Sequence, residues 1–274
     1  MLWVLAITFL AVLVAAGVIY AMACRIPPGY RRTALTAEEQ KESLDRLIAD
    51  HIFHRFGNKA GAGLPFTWTI TAARANEYLA SLDAVGSLCE PPTFPSLEME
   101  RAGFSGPAVA MRQGVLTLMI HAKRYDKIFS TDLAFDFNGE GNLTARTLAM
   151  RIGVMPVPQS FLGKVHQQIR RQLAEHLAKA EKLRDGRIGP VPVGDFAKLL
   201  RNIIRMADGE CIRPELVWPL GKHRVRIDRV EISEGKLSIH FVPVSRPRPA
   251  TATAPVQLSA AQTSFPPRGG DGRE

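Results

Sequence analysis

The amino-acid sequence predicts an α+β protein with an N-terminal transmembrane helix, followed by a curved antiparallel sheet that wraps around a long amphipathic helix. Three observations predict this fold: residues 2–24 carry no charged side chain, apolar residues alternate with period 2 in the middle of the chain, and they repeat with helical period on either side. The resulting divisions are an anchor (1–24), a juxtamembrane linker (25–35), an α+β globular domain (36–243) and a disordered tail (244–274).

The N-terminal run is long enough to cross a bilayer. At about 1.5 Å per residue, a helix from Leu2 to Cys24 is roughly 34 Å long, against about 30 Å of hydrocarbon. No Lys or Arg precedes the run, which favours an uncleaved anchor over a signal peptide. Cleavage stays an alternative because Ala21-Met22-Ala23 has the form of a cleavage site, and so does lipidation of Cys24.

The sequence of the first part of the globular domain predicts a helix, a strand and a second helix. Thr36 and Glu39 form a capping box, and the apolar stripe of the helix, which ends at Gly57, consists of Leu44, Leu47, Ile48, Ile52 and Phe56. A strand follows at 66–70, and Thr71 caps a helix whose apolar positions are Ala75, Tyr78, Leu79 and Leu82. Residues 86–107 are rich in Gly and Pro and predict a loop.

The middle of the chain predicts a meander of three antiparallel strands with one apolar face. Residues 138–142, Asn-Gly-Glu-Gly-Asn, give a strong turn signal between the second and third strands. We expect the apolar face of the meander to line a groove, and its candidate lining residues are Leu116, Leu118, Ile120, Leu133, Phe135, Phe137, Leu148, Met150 and Ile152. The alternative is that these side chains only pack a solid core.

A long helix and a closing hairpin complete the domain. Ser160 caps the helix, whose apolar stripe is Leu162, Val165, Ile169, Leu173, Leu177 and Ala180, and another helix begins near Asp195. Strands at 224–232 and 236–242 form the hairpin, and a change of phase in the first strand predicts a bulge near Asp228. From Val244 the composition of Pro, Ala, Thr, Ser and Gly predicts disorder.

Catalytic motifs are missing from the sequence, so we expect a protein that is not an enzyme. There is no GxSxG, P-loop, GxGxxG or HExxH pattern. His51 and His54 have a spacing that can hold a metal, but no acidic residue of matching spacing accompanies them, and we expect neither metal nor cofactor. Cys24, Cys89 and Cys211 have no CxxC spacing, and a Cys89–Cys211 disulfide requires an oxidising compartment.

The chain is basic, with a net charge of +9 and no long block of like charge. Such a surface suits anionic lipid headgroups or simple solubility. Nucleic acid is not an expected partner, because no nucleic-acid-binding motif accompanies the charge. The long helix has a basic face that we expect to meet headgroups or solvent, formed by Lys164, Arg170, Arg171, Lys179 and Lys182.

Several short motifs resemble a known family. Residues 66–71, Phe-Thr-Trp-Thr-Ile-Thr, followed by 76–79, Asn-Glu-Tyr-Leu, resemble the first strand and helix of YpmS-like proteins, which are single-span bacterial membrane proteins. Gly141-Asn142-Leu143 and the Gly153, Pro156 and Pro158 pattern are similar to that family's turn and pre-helix segment. More distantly, the layout resembles tubular lipid-binding (TULIP) domains, whose sheet encloses an acyl-chain groove. The Gly- and Pro-rich insertion at 86–107 and the long tail depart from the pattern.

The resemblance and the apolar patterns together favour a membrane-anchored, non-enzymatic module that binds or passes lipid acyl chains. The alternative is a structural or assembly protein of the cell envelope, with a solid core and a tail that recruits protein partners. Arg25, Arg31 and Arg32 favour a cytoplasmic domain by the positive-inside rule. The resemblance and the single N-terminal span imply the opposite side, and we expect an extracytoplasmic domain on the cell membrane.

Overall fold

The computed structural model describes most of the chain from the first helix to the last strand. The described residues are 2–49, 56–87, 94–158, 163, 167, 171, 187–188, 191–192, 201–202, 205–206, 209–217 and 224–244, with the side chains of the first helix described from Phe9 onward. Within them the protein has the predicted α+β class. No helix in this described part is both long enough and apolar enough to cross a membrane.

In the described residues before the first strand, the α-helices are α1 (Leu2–Cys24), α2 (Ala37–Arg46) and α3 (Asn58–Gly61). The capping box of α2 is confirmed, because the Thr36 side chain accepts from Glu39 N–H and the Glu39 carboxylate accepts from Thr36 N–H at 2.7 Å. The predicted helix end at Gly57 is wrong. Gly57 has φ −58° and leads directly into α3, so its backbone continues the helical path.

The predicted loop at 86–107 is also wrong. After α4 (Ala72–Ala80), which Thr71 caps as predicted, the chain forms α5 (Leu82–Ser87) and α6 (Pro95–Arg101). Pro95 begins α6 because a first-turn proline has no helical N–H bond to lose. Strand β2 then starts at Phe104.

A four-stranded antiparallel sheet joins the beginning and the end of the domain in the order β1-β11-β10-β9. Its strands are β1 (Phe66–Thr71), β9 (Glu215–Val217), β10 (Arg224–Ser233) and β11 (Lys236–Pro243). The predicted bulge is confirmed, since the register shifts between Ile227 and Arg229. Phe56, Phe66 and Phe241 form the core beneath this sheet, with ring centroids 4.9–5.2 Å apart.

A five-stranded antiparallel sheet contains the predicted meander and runs in the order β2-β3-β4-β5-β6. Its strands are β2 (Phe104–Arg112), β3 (Val115–Ala122), β4 (Lys127–Phe137), β5 (Leu143–Ile152) and β6 (Met155–Pro156). A separate two-stranded ribbon pairs β7 (Arg187–Ile188) with β8 (Val191–Pro192). The edge strand β2 was not predicted, because Gly106-Pro107 is typical of a turn.

The prediction of one sheet is therefore wrong, because β1 pairs with the C-terminal hairpin rather than with the meander. The two larger sheets pack together through a shared core of Ile70 and Ile232 from one and Val109 and Met111 from the other. Gly163, Gln167 and Arg171 are helical. Most of the predicted long helix, the helix start near Asp195 and the tail beyond Val244 lie outside the described residues.

Candidate lipid-binding face and anchor junction

Strand register brings most of the predicted groove residues onto one face of the five-stranded sheet. Leu116 pairs with Leu133, and Ile120 pairs with Phe129, which in turn pairs with Ile152. Between these rows, Leu118 pairs with Thr131 and Thr131 with Met150. Cross-strand partners share a face, so the described strands support a common surface for these residues.

Burial is uneven across this face. At one end, Leu116 and Phe135 pack against the core that the two sheets share, beside α4. Met150 is also buried, at 7% exposure, and Ile120, Leu133, Phe137 and Ile152 are half-buried. In contrast, Leu118 is 45% exposed and Leu148 is 46% exposed. The surface that could meet a ligand is therefore smaller than the predicted set, and it centres on these two leucines.

Leu148 occupies a bulge that the alternation of the sequence did not reveal. Asp132 pairs with Ala149, and the next residue, Leu133, pairs with Thr147. Leu148 is thus the extra residue of β5 and has no partner on β4. The predicted row of Leu148, Met150 and Ile152 is therefore interrupted by a bulge at Leu148.

A cavity of about 360 Å³ lies elsewhere, between α2 and α5. Its lining includes Leu44, Phe94 and Ala84, together with the polar residues Gln40, Lys41 and Asp83. None of its lining residues belongs to the predicted groove.

Of the predicted headgroup-facing residues, only Arg171 falls within the described part of the chain, where it is helical and exposed. The others, Lys164, Arg170, Lys179 and Lys182, lie outside it, as do His51, His54 and Cys89. Cys24 and Cys211 are exposed. Among the described residues, no group of three or more His, Cys, Asp or Glu side chains could hold a metal ion.

The end of α1 packs against the turn between β5 and β6, a contact that the sequence did not predict. Val154 N–H donates to the carbonyl oxygen of Met22 at 3.0 Å and so caps α1. Gly153 has φ +60°, and a Cβ there would lie 2.4 Å from the Ala23 carbonyl oxygen. Only glycine allows this close approach. Lys127 adds a hydrogen bond to the Cys24 sulfur at 3.0 Å.

The linker after α1 runs over the opposite face of the five-stranded sheet. Pro27 is buried, and the Tyr30 hydroxyl donates to the Gly106 carbonyl oxygen at 3.0 Å. Tyr30 also packs on the apolar cluster of Ala108, Met119 and Ile128. Burial raises the pKa of the Tyr30 hydroxyl, and this effect outweighs the positive charge of Arg32, which lowers the pKa. The predicted linker is thus part of the folded domain.

The same face holds a buried carboxylate. Asp132 is 4% exposed and accepts hydrogen bonds from Arg151 at 2.8 Å, Thr117 at 2.8 Å and Arg112 at 3.2 Å. Burial alone would raise the pKa of Asp132, but the bonds from Arg151 and Thr117 and the two arginine charges outweigh it, so the pKa lies below its ordinary value. The network binds four consecutive strands, β2 to β5, together through the one carboxylate of Asp132.

Sequence reasoning missed this network because Asp132 occupies a polar position of an alternating strand, where solvent exposure is the usual outcome. The buried face of β3 carries Thr117 and Met119, so a polar contact and an apolar contact lie side by side there. A buried charge requires charged or hydrogen-bonding partners. The signal that the sequence offered for a buried carboxylate was its pair of arginines, Arg112 and Arg151.

Comparison of the chain with protein-family models, with curated proteins and with solved structures gives no match.

Proposed function

We propose that this protein is a membrane-anchored, non-enzymatic module that binds or passes lipid acyl chains along the five-stranded sheet. The observation that carries the proposal is the pair of exposed leucines, Leu118 and Leu148, on β3 and β5 of a sheet whose end contacts α1. Exposed apolar side chains on a sheet lose contact with water when an acyl chain covers them. That burial favours binding by about 25 cal/mol per Å² of apolar surface.

The junction with α1 supports the proposal by bringing the sheet close to the bilayer. Leu118 lies four residues before Ala122, where β3 ends beside Lys127 and the last turn of α1. At about 3.3 Å per residue, an acyl chain has to move roughly 13 Å along the strand to reach it. A short path of this kind suits a tethered carrier better than a freely diffusing one.

We further propose that the domain lies outside the cytoplasm, on a single-pass anchor of the cell membrane. The single N-terminal span favours this side, while Arg25, Arg31 and Arg32 favour the cytoplasm. Protease added to intact cells should remove the domain, and its full protection until lysis would refute this orientation.

A second candidate is a structural protein of the envelope. It is supported by the burial of Met150 and by the packing of Leu116 and Phe135 against the shared core, because these side chains already contact the rest of the domain. In this case the predicted tail, residues 244–274, recruits a protein partner. A defined partner that co-purifies with the full chain and is lost when residues 244–274 are deleted would favour this candidate.

Photo-crosslinking of the full chain in lipid nanodiscs tests the leading proposal. The nanodiscs contain a phospholipid with a photoreactive group in its acyl chain, and the labelled peptides are identified by mass spectrometry. We expect labelling of α1 and also of peptides from β3 and β5. Labelling of α1 without β3 and β5 would refute lipid binding by the sheet, whereas an unlabelled α1 would refute the membrane anchor.

Matched variants locate the contact. Leu118→Asp and Leu148→Asp place a charge at the exposed positions, where neither side chain contributes to a buried cluster, and we expect each to abolish labelling of the sheet. Leu64→Asp is the control, because Leu64 is 65% exposed and lies before β1, outside the five-stranded sheet. Equal loss of labelling in the Leu64→Asp variant would contradict the proposal.

A further inference from the structure

The turn between β3 and β4 lies beside the end of α1. Ala122 and Lys127 are paired at the bases of this turn, and Gly153 N–H donates to the Ile128 carbonyl oxygen at 2.7 Å. The turn that caps α1 and the turn between β3 and β4 therefore occupy the same end of the sheet. We call residues 123–127 the β3–β4 tip.

The β3–β4 tip combines positive charge with an exposed aromatic ring. Tyr125 is 60% exposed, and the Arg124 guanidinium lies 5.6 Å from its ring centroid. Asp126 is hydrogen-bonded to His121, and Lys123 forms an ion pair with Glu100 at 2.7 Å. Within the described part of the chain, Arg124 has no acidic partner. The tip thus presents one uncompensated guanidinium and one amphipathic ring to its surroundings.

Lys127 fixes the height of the tip relative to α1. Its ammonium lies 5.3 Å from the ring centroid of Tyr20, which is four residues before the helix end. At about 1.5 Å per residue, Tyr20 is roughly 6 Å from the end of α1. Tyr residues at that depth of a membrane helix lie at the headgroup level. Lys127 is the last residue of the tip, so the tip lies at the same level.

We propose that the β3–β4 tip binds the headgroups of anionic phospholipids beside the anchor, a role that rests on the proposed membrane anchoring of α1. Arg124 supplies donors for phosphate oxygens in a bidentate geometry. Tyr125 inserts its ring at the interface between headgroups and acyl chains and keeps its hydroxyl in the headgroup layer. With α1 and the tip both attached, the sheet has two contacts with the bilayer, and its tilt is fixed.

Hydrogen exchange of the full chain in nanodiscs tests this inference. The exchange of tip amides is compared between nanodiscs of phosphatidylcholine alone and nanodiscs that also contain phosphatidylglycerol. We expect phosphatidylglycerol to slow exchange in peptides that cover the tip by about fivefold for each basic residue engaged. High salt should reverse this slowing, because it screens the attraction between exposed charges and the surface.

Two charge reversals provide the variant and its control. Arg124→Glu should abolish the effect of phosphatidylglycerol on the tip, while Lys236→Glu should leave it unchanged. Lys236 is exposed at the turn between β10 and β11, and Gly235 N–H in that turn donates to the carbonyl oxygen of Met111 on β2. Met111 pairs with Leu116 near the start of β3, at the end of that strand away from the tip. The eight residues of β3 span roughly 26 Å, so this control lies far from the tip.

The outcomes separate this inference from the function on which it rests. Equal exchange of the tip in the two kinds of nanodisc, with α1 protected in both, would refute the inference and leave the anchor intact. An equal effect of Lys236→Glu and Arg124→Glu would also refute it, because the response would then reflect net charge alone. Exchange of α1 at unprotected rates would refute the anchor and this inference together.

Discussion

Replacement of Gly153 by alanine should release α1 from the domain. The added Cβ would lie 2.4 Å from the Ala23 carbonyl oxygen and 2.7 Å from those of Met22 and Arg25. Non-bonded carbon atoms prefer a separation of about 3.5–4 Å, and carbonyl oxygens are only slightly smaller. The three oxygens belong to the backbone of the helix end, so they cannot move singly. The helix end must therefore shift by about 1 Å as a unit.

The cost of this substitution has two parts. Alanine at φ +60° costs about 1–2 kcal/mol, because left-handed backbone brings Cβ close to the following carbonyl. Overpacking of a tight contact costs typically 1–3 kcal/mol. If α1 moves away, this cost disappears, but the hydrogen bond from Val154 N–H to the Met22 carbonyl oxygen is lost. We therefore expect separation of α1 from the turn rather than unfolding of the sheet.

Hydrogen exchange of the Val154 amide measures the effect, because this N–H donates to the Met22 carbonyl oxygen in the intact junction. A loss of 1–3 kcal/mol corresponds to an increase of about 5- to 150-fold in the exchange rate. Gly141→Ala is the control, since Gly141 has φ +74° but no atom within 4 Å of the added Cβ. It should reproduce the backbone strain without affecting Val154.

A second variant separates strain from contact. Gly153→Asn adds the same Cβ but tolerates left-handed backbone better than alanine, and we expect it to release α1 as well. This account of the junction would be refuted if the exchange rate of the Val154 amide stayed unchanged in both Gly153 variants. It would also be refuted if Gly141→Ala raised that exchange rate as much as Gly153→Ala does.

Two further predictions concern polar groups that tie the sheet to its surroundings. Asn76→Ala should lower the free energy of unfolding by about 2–4 kcal/mol in urea denaturation, because the Asn76 side chain donates to Val109 O at 2.9 Å and accepts from Val109 N–H at 2.7 Å; a loss below 0.5 kcal/mol would contradict this role. Asp132→Asn should lower the free energy of unfolding by about 3 kcal/mol at pH 7. The difference in this free energy between the variant and the wild-type protein should shrink as the pH falls below about 4. The sign follows from the lowered pKa of Asp132, whose contribution is complete above the unfolded-state pKa and is lost as the pH falls through the folded-state value. Asp136→Asn is the matched control, since Asp136 is exposed and pairs only loosely with Arg146, at 3.8 Å; an equal cost in both variants would show that burial does not matter.

Local features of the fold could be predicted from the sequence because local chemistry decides them. Thr36 and Thr71 cap their helices through hydrogen bonds to residues three positions later. The meander and the closing hairpin follow from alternation, and the bulge beside Asp228 follows from a change of phase. In each case the determining contacts lie within a few residues along the chain.

The edge strand β2 could not be predicted in this way. Its Gly106-Pro107 pair is typical of a turn, and Pro has no N–H to donate to a sheet. Nevertheless β2 is an edge strand, where a missing donor is tolerated, and the register shifts between Ser105 and Ala108 at this pair. The Asn76 side chain then satisfies the backbone of Val109 on the outer edge of β2. These contacts join residues 33 positions apart.

By itself, the sequence determined the α+β class, the caps of α2 and α4, the meander and the closing hairpin, through the alternation of apolar residues along the strands. Only the tertiary structure decided which of those residues are buried, since Leu116 packs in the core that two sheets share and Leu118 does not. It also decided the attachment of α1 through Gly153 and the burial of Asp132 on the sheet face that the linker crosses. The physical reason is that exposure depends on what the rest of the chain places over a strand, and alternation along one strand carries no information about that covering.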